Sequence, residues 1–325
     1  MKAIQVTQSG APDVLQIIET PTPTPGAGEV LVKVAAAGIN FADLMAREGK
    51  YPPAPKPPFV NGMEVAGVVE SVGAGVESVK TGTRVFGMVN FGGYAEYALL
   101  AANRSVPLPD GVDFATATAL LVQGLTAYFL LEEARLAPGE SVLVNAAAGG
   151  VGSLAVQIAK LKGAGVVVGT ASTEDKRRMV TELGADAAVD YTQSGWSKSV
   201  LDATGGKGVD VFLDATGEVA GEGFDTLANG GRWMVYGAQS GNASDLTGER
   251  IFTMLFKSQS LTGYVLYRNT ANPESVAKAL TEMLGWVVSG KLKVETGSRF
   301  ALADAAQAHI AIADRKTTGK VVLEP

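Results

Sequence analysis

The sequence predicts an α/β protein in which a doubly wound parallel sheet is joined to a smaller β-barrel domain. Three observations predict it. Ser141 to Lys160 reads as strand, tight turn and helix, with small residues at Ala146, Gly149 and Gly152 between a β-branched run and apolar residues at helical spacing. Beyond it, short continuous apolar runs alternate with helical patterns as far as Leu266, as in a parallel sheet buried on both faces. Ahead of it, many short strand-like runs are separated by glycine turns, as in a small barrel.

The chain has 325 residues, enough for two domains of roughly 150 each. Its 46% hydrophobic content supplies material for sizeable cores. The net charge of −6 disfavours a nucleic-acid or anionic-membrane partner. There is no cysteine and a single histidine, His309, so thiolate nucleophiles, Cys-ligated zinc and His-based triads are excluded. Leu120 to Leu131 is apolar but is interrupted by Gln123, Gly124 and Thr126, too short and too polar for a membrane span. The first residues lack the apolar core of a signal peptide, and a cytoplasmic location is expected.

Taken in order, Met1 to Val6, Val14 to Glu19 and Val30 to Ala35 read as strands. Gly38 to Met45 is a turn entering a short helix, and the proline-crowded Tyr51 to Phe59 stays out of a central ladder. Gly62 to Gly73, Thr83 to Val89 and Tyr94 to Leu100 complete the barrel strands. Helix is predicted from Phe114 to about Glu133. Strands then follow at Val142–Val144, Val166–Thr170, Ala187–Asp190, Val209–Ala215, Trp233–Tyr236 and Ser260–Leu266. Helices are predicted between them, including one over Glu222 to Ala228. Two helices, Pro273 to Ser289 and Ala303 to Ala313, precede a final strand, Lys320 to Leu323.

The turn chemistry points to a dinucleotide. Small residues there let the backbone turn sharply, approach a pyrophosphate and pack helix on strand, while the helix N-terminus offers free N–H groups. The second strand of such a fold often ends in an acid that binds the adenosine ribose. Here it ends Gly169-Thr170-Ala171-Ser172 without one, and Lys176, Arg177 and Arg178 follow. That favours a 2′-phosphate, hence NADPH, although such cations also serve as an ordinary solvated helix face. Asn40, between a glycine and a helix, can cap the helix or donate to a ligand oxygen. Met63 and Glu64 read as part of a strand, and His309 as a packed or surface helix residue.

Together these stretches resemble the medium-chain dehydrogenase/reductase superfamily, in its zinc-free quinone oxidoreductase (zeta-crystallin-like) branch. The resemblance rests on Ala36 to Pro52, Gly62 to Gly73, Leu120 to Tyr128, the central glycine turn, Gly231 to Gly237, Ser260 to Tyr264 and Arg315 to Leu323. Asn40 stands where the zinc alcohol dehydrogenases carry a ligating Cys, and Met63 where they carry His. The resemblance implies a GroES-like β-barrel domain over residues 1–120 and 267–325, a Rossmann domain over 121–266, and an active site in the cleft.

It further implies catalytic roles for Asn40, Tyr51 and Thr126 near the nicotinamide, with Met45, Tyr51 and Gln123 lining the substrate pocket. Many relatives carry tyrosine where this chain has Met45. Gly149, Gly150 and Val151 would meet the pyrophosphate, and Ser172, Lys176 and Tyr191 the 2′-phosphate. Gly237 would present backbone to the nicotinamide, and Lys320 would reach the cofactor. The expected activity is NADPH-dependent quinone reduction without metal. The alternatives are an enone, alkenal or enoyl-thioester reductase, and a low-turnover NADPH-binding structural or regulatory protein. A homodimer through Ser260 to Leu266 is expected, with no nucleic acid and no membrane.

Overall fold

The structure, a computed structural model, describes residues 1–217, 221–237 and 246–325. The chain forms two compact units. One comprises Met1–Gln123, Met283–Val288 and Val294–Pro325, the other Gly124–Glu282 and Ser289–Lys293.

The first unit is organised around the strand Glu29–Ile39. It is flanked in the sheet by Glu64–Val72 and Val321–Glu324, and Tyr97–Ala101 pairs with its first half. All three neighbours are antiparallel to it. Arg84–Met88 and Val106–Pro107 extend the sheet on one side and Ser298–Ala301 on the other. A second sheet pairs Lys2–Val6 with Leu15–Glu19 and Phe59–Val60. Val30, Val32 and Val34 alternate into a shared core with Val65, Val69 and Leu323, the period of two that a half-buried strand requires.

Two registers in this sheet place the functional residues. Ala37 lies opposite Val65 on one side, and Ile39 opposite Val321 on the other. One residue further along each ladder, Gly38 meets Glu64 and Asn40 meets Lys320. The end of the chain is thereby brought to a site begun by its first forty residues.

The second unit holds a six-stranded parallel sheet. Its order is Ala187–Val189, Val166–Thr170, Ser141–Val144, Val209–Asp214, Leu227–Val235, Ser260–Gly263. Chain order reverses between Ser141–Val144 and Val209–Asp214, which marks the switch point where such folds take their ligands. Val142, Leu143 and Val144 are fully buried, as continuous apolar runs in a sheet covered on both faces should be.

One local expectation is corrected. The helix predicted over Glu222 to Ala228 is a 3-10 turn, Glu222–Thr226, and the next strand already starts at Leu227. Gly223 lies against the Phe212 ring, which a Cβ would approach to 2.7 Å, and Gly230 sits at φ +74°. Leu227 is already paired with Val209 in the parallel sheet, so the strand takes residues that the helix would need. The helical run predicted from Phe114 to about Glu133 is present as Phe114–Glu133, with a π-helical turn at Leu120–Gly124. By length and composition its 20 residues could cross a membrane, but 78% of its apolar window is buried in the fold.

Candidate cofactor and active site

In the second unit, the glycine turn joins the strand Ser141–Val144 to the helix Gly150–Leu161. Ala146 takes a left-handed conformation at φ +51°. A Cβ on Gly152 would stand 2.4 Å from the Ala146 carbonyl oxygen, and one on Gly149 would stand 3.2 Å from it. Gly152 is therefore demanded by the close packing of helix on turn. Gly149 is the N-cap, so Gly150 and Val151 open the helix with N–H groups free of intrahelical partners. This small-residue cradle fits a pyrophosphate.

Asn145 ties the strand ends together beneath the turn. Its Nδ2 donates to Asp214 Oδ1 at 3.1 Å and Thr216 Oγ1 at 3.2 Å, and its Oδ1 accepts from the Thr170 hydroxyl at 3.0 Å. Gly169 makes room for the turn and the following helix, since a Cβ there would come within 2.5 Å of Val180 Cγ1 and 2.8 Å of Ala147 Cβ. At the end of that strand, Ser172 is half-buried. The Thr173 hydroxyl caps the helix Glu174–Glu182 by accepting from the Lys176 N–H.

The cations there divide. Arg177 folds back onto the Ala171 carbonyl and pairs with Asp190 at 3.0 Å, and Arg178 pairs with Asp175. Half-buried Tyr191 follows Asp190 just past the strand Ala187–Val189. Gly237 follows Leu227–Val235, where a Cβ would stand 2.2 Å from the Ala215 carbonyl oxygen. The expected dinucleotide residues Gly149, Gly150, Val151, Ser172, Lys176, Tyr191 and Gly237 thus all lie past the carboxyl ends of parallel strands. Thr126 lies elsewhere in this unit, buried on the helix Leu125–Glu133.

In the first unit, Asn40 is the N-cap of the helix Phe41–Arg47 and is 4% exposed. Its backbone N–H donates to Asp43 Oδ2 at 2.7 Å. Its side chain faces a buried ion pair. Lys320 Nζ donates to Asn40 Oδ1 and to the Ile39 carbonyl, each at 3.2 Å, and to Glu64 Oε1. Both charged side chains are fully buried. The second carboxylate oxygen of Glu64 accepts from the Val122 N–H at 2.9 Å. A Cβ at Gly38 would overlap Glu64 Oε1 and approach Lys320 Cε to 2.6 Å, so the pair fits only against glycine.

This arrangement fixes the Asn40 amide. An ammonium only donates, so the oxygen of the amide must face it. Asn40 Nδ2 is left buried and without a hydrogen-bond partner among the described residues. Gln123, 9% exposed, also points to this centre, with Nε2 donating to the Ile39 carbonyl at 3.4 Å and Oε1 buried unpartnered. Lys320, expected to reach the cofactor, has its three N–H bonds engaged by Ile39, Asn40 and Glu64. Half-buried Met45 lies on the helix that Asn40 caps, and Tyr51, just beyond it, packs against the unit's core.

Behind Asn40 runs a second buried polar chain, missed in the sequence apart from His309. Asp43 is fully buried, and burial pushes its carboxyl up to about 7. The Tyr94 hydroxyl faces this carboxylate and lies 3.2 Å from His309 Nε2. Arg47 Nη1 lies 3.3 Å from His309 Nδ1. Because Arg47 only donates, His309 accepts at Nδ1 and carries its proton on Nε2 toward Tyr94. Burial and the neighbouring Arg47 lower the His309 pKa to about 3, so the ring is neutral. Gly62, at φ +93°, admits the Tyr94 ring where a Cβ would collide with it at 2.3 Å.

No group of three or more His, Cys, Asp or Glu side chains among the described residues could hold a metal ion. Residues 26–110 match the alcohol dehydrogenase GroES-like domain family, and residues 150–284 the zinc-binding dehydrogenase family. The chain is 38% identical over 328 residues to the quinone oxidoreductase of Pseudomonas aeruginosa, covering 100% of this chain and 99% of that protein. The Escherichia coli quinone oxidoreductase complexed with NADPH superposes with a TM-score of 0.92 at 32% identity, covering 100% of both chains. An NAD-dependent alcohol dehydrogenase superposes with a TM-score of 0.90 at 34% identity, again over 100% of both chains.

Proposed function

Since the chain belongs to the quinone oxidoreductase family of the medium-chain dehydrogenase/reductase superfamily, we propose that it reduces quinones or related conjugated carbonyls with NADPH and without zinc. The observation that carries this reading is the buried, unpartnered Asn40 Nδ2. A buried donor held free is costly in a resting protein and suits an oxygen that gains charge during reaction.

When bound, NADPH supplies a hydride from its nicotinamide ring. The residues Gly149, Gly150 and Val151 hold the pyrophosphate through backbone N–H groups. Ser172, Lys176 and Tyr191 hold the 2′-phosphate, and the strand end Gly169 to Ser172 carries no acid to bind a ribose hydroxyl in its place. Gly237 lends backbone to the nicotinamide. Asn40 Nδ2 donates to the acceptor oxygen as negative charge develops there, with Tyr51 and Thr126 as further donors and Met45 and Gln123 shaping the pocket. A solvent proton completes each transfer, because a hydroquinone does not need a strong enzyme acid.

Two further parts belong to this reading. The enzyme is a cytoplasmic protein, and the long apolar helix Phe114–Glu133 serves as core. It is also a homodimer. Ser260–Gly263 is an edge strand whose four residues are all exposed. Beside it, the helix Gly248–Lys257 exposes Ile251, Phe252, Leu255 and Phe256, between 54% and 72% each. A second copy pairing strand to strand would cover that edge.

The test is a panel of quinones, enones and enoyl thioesters with NADPH and with NADH, after treatment with a chelator. Quinones are expected to turn over fastest, with NADPH strongly preferred and chelation without effect. Preference for enones or enoyl thioesters would replace the substrate class, and tight NADPH binding without turnover of any acceptor would indicate a structural or regulatory protein.

A further inference from the structure

We propose that Lys320, paired with Glu64, is a positioning residue that sets which atom of the Asn40 amide faces the acceptor. The inference rests on the reading of Asn40 as the donor to the acceptor oxygen.

An asparagine amide can be turned end for end, and in an open pocket either its oxygen or its nitrogen can meet the substrate. A carbonyl acceptor needs the nitrogen. Lys320 Nζ, 3.2 Å from Asn40 Oδ1, can only donate and therefore holds the oxygen on its own side. The Ile39 carbonyl and Glu64 Oε1 take its other two N–H bonds, so the ammonium has no freedom to swing away. Glu64 balances its charge, and Glu64 in turn is held by the Val122 N–H. Gly38 leaves space for the pair, since a Cβ there would meet both Glu64 and Lys320. The result is a donor-only clamp on Oδ1 and a free Nδ2. Removal of the clamp lets the amide turn its oxygen toward the substrate, where it repels the developing negative charge.

This assignment differs from direct contact between Lys320 and the cofactor, and the difference can be measured. The pair is removed together, as Glu64→Gln with Lys320→Met, so that no unpaired charge stays buried. The double variant, Asn40→Ala, and the triple variant are compared with the wild-type protein in NADPH oxidation by 1,4-benzoquinone. NADPH affinity is read from nicotinamide fluorescence. The double variant is expected to lose about tenfold or more in kcat, with the NADPH Kd within about twofold of wild type. In the Asn40→Ala background, removing the pair should cost less than about twofold. A full additional loss in that background overturns the proposal, as does a large rise in the NADPH Kd. An unchanged kcat in Asn40→Ala would instead defeat the reading of Asn40 itself, and the proposal with it.

If circular dichroism shows the double variant unfolded, the wild-type protein answers by NMR with Nζ-labelled lysine. The buried Lys320 ammonium should be protected from exchange and keep its resonance position when NADP⁺ is added. A large shift would mean that Lys320 touches the cofactor, contrary to the proposal.

Discussion

The Tyr94 hydroxyl lies 3.2 Å from His309 Nε2, across 215 residues of sequence, in the buried polar cluster that holds a neutral imidazole and the Asp43 carboxyl. These last two groups titrate in opposite senses. Asp43 is pushed up from 3.8 to about 7, chiefly by burial. In the window between these values the folded protein holds a proton that the unfolded chain has released, so this contribution to stability falls as pH rises. His309 is lowered from 6.5 to about 3, chiefly by burial. In its window the unfolded chain holds the extra proton, so this contribution is lost as pH falls. The two nearly cancel between about pH 4 and 6.5.

Asp43→Asn should expose the His309 limb. Relative to wild type, the variant should gain about 1.4 kcal/mol of stability per unit of rising pH in that window. Urea denaturation at several pH values measures it. Parallel stability curves for the two proteins would contradict the account.

Loss of one partner of the Lys320–Glu64 pair should be severe. Lys320→Met alone strands a buried carboxylate and is expected to cost about 3–5 kcal/mol. Joint replacement with Glu64→Gln should recover most of that. Chemical denaturation of the single and double variants is the check, and equal losses in both would contradict it.

Gly38→Ala places a methyl group against the same pair. Overpacking of this kind typically costs about 1–3 kcal/mol. Because the displaced groups hold Asn40, kcat for quinone reduction should fall as well as Tm. A fall in Tm with unchanged kcat would separate the pair from the reaction.

At the cofactor end, Lys176→Ala should raise the Kd for NADPH by about tenfold or more, as the loss of one charge-assisted bond to phosphate predicts. The Kd for NADH should stay the same. Equal weakening of both would assign Lys176 to helix stability instead of the 2′-phosphate.

Phe252→Asp with Phe256→Asp puts charge on the exposed face whose two rings lie 4.7 Å apart. Light scattering should find a dimer for the wild-type protein and a monomer for the variant. A monomeric wild type would remove the edge-strand interface.

What the sequence disclosed follows from how local each signal is. The turn at Gly149 and Gly152 was legible because strand, turn and helix are contiguous, and their spacing reflects the packing of the helix on Ala146 and Ala147. The missing carboxylate after Gly169 was legible for the same reason. Glu64 and Lys320 are 256 residues apart and meet only through two antiparallel registers. In the sequence Glu64 therefore read as an ordinary strand residue. The available signal was Glu64 at the glycine-flanked apolar start of the run Gly62 to Gly73, where a buried charge needs a partner; Glu70, later in the same run, is exposed. His309 likewise lacked a partner nearby in sequence, because Arg47 lies 262 residues away. The helix predicted at Glu222 gives way because Leu227 is drawn into the sheet beside Val209, a long-range pairing that no helical pattern reveals.

The most direct test of the central claim is the rate of NADPH oxidation by a quinone in Asn40→Ala. One preorganised donor to a developing oxyanion is worth about 3 kcal/mol, so kcat should fall about 100-fold while the NADPH Kd stays unchanged. A change of less than about twofold in kcat would contradict it.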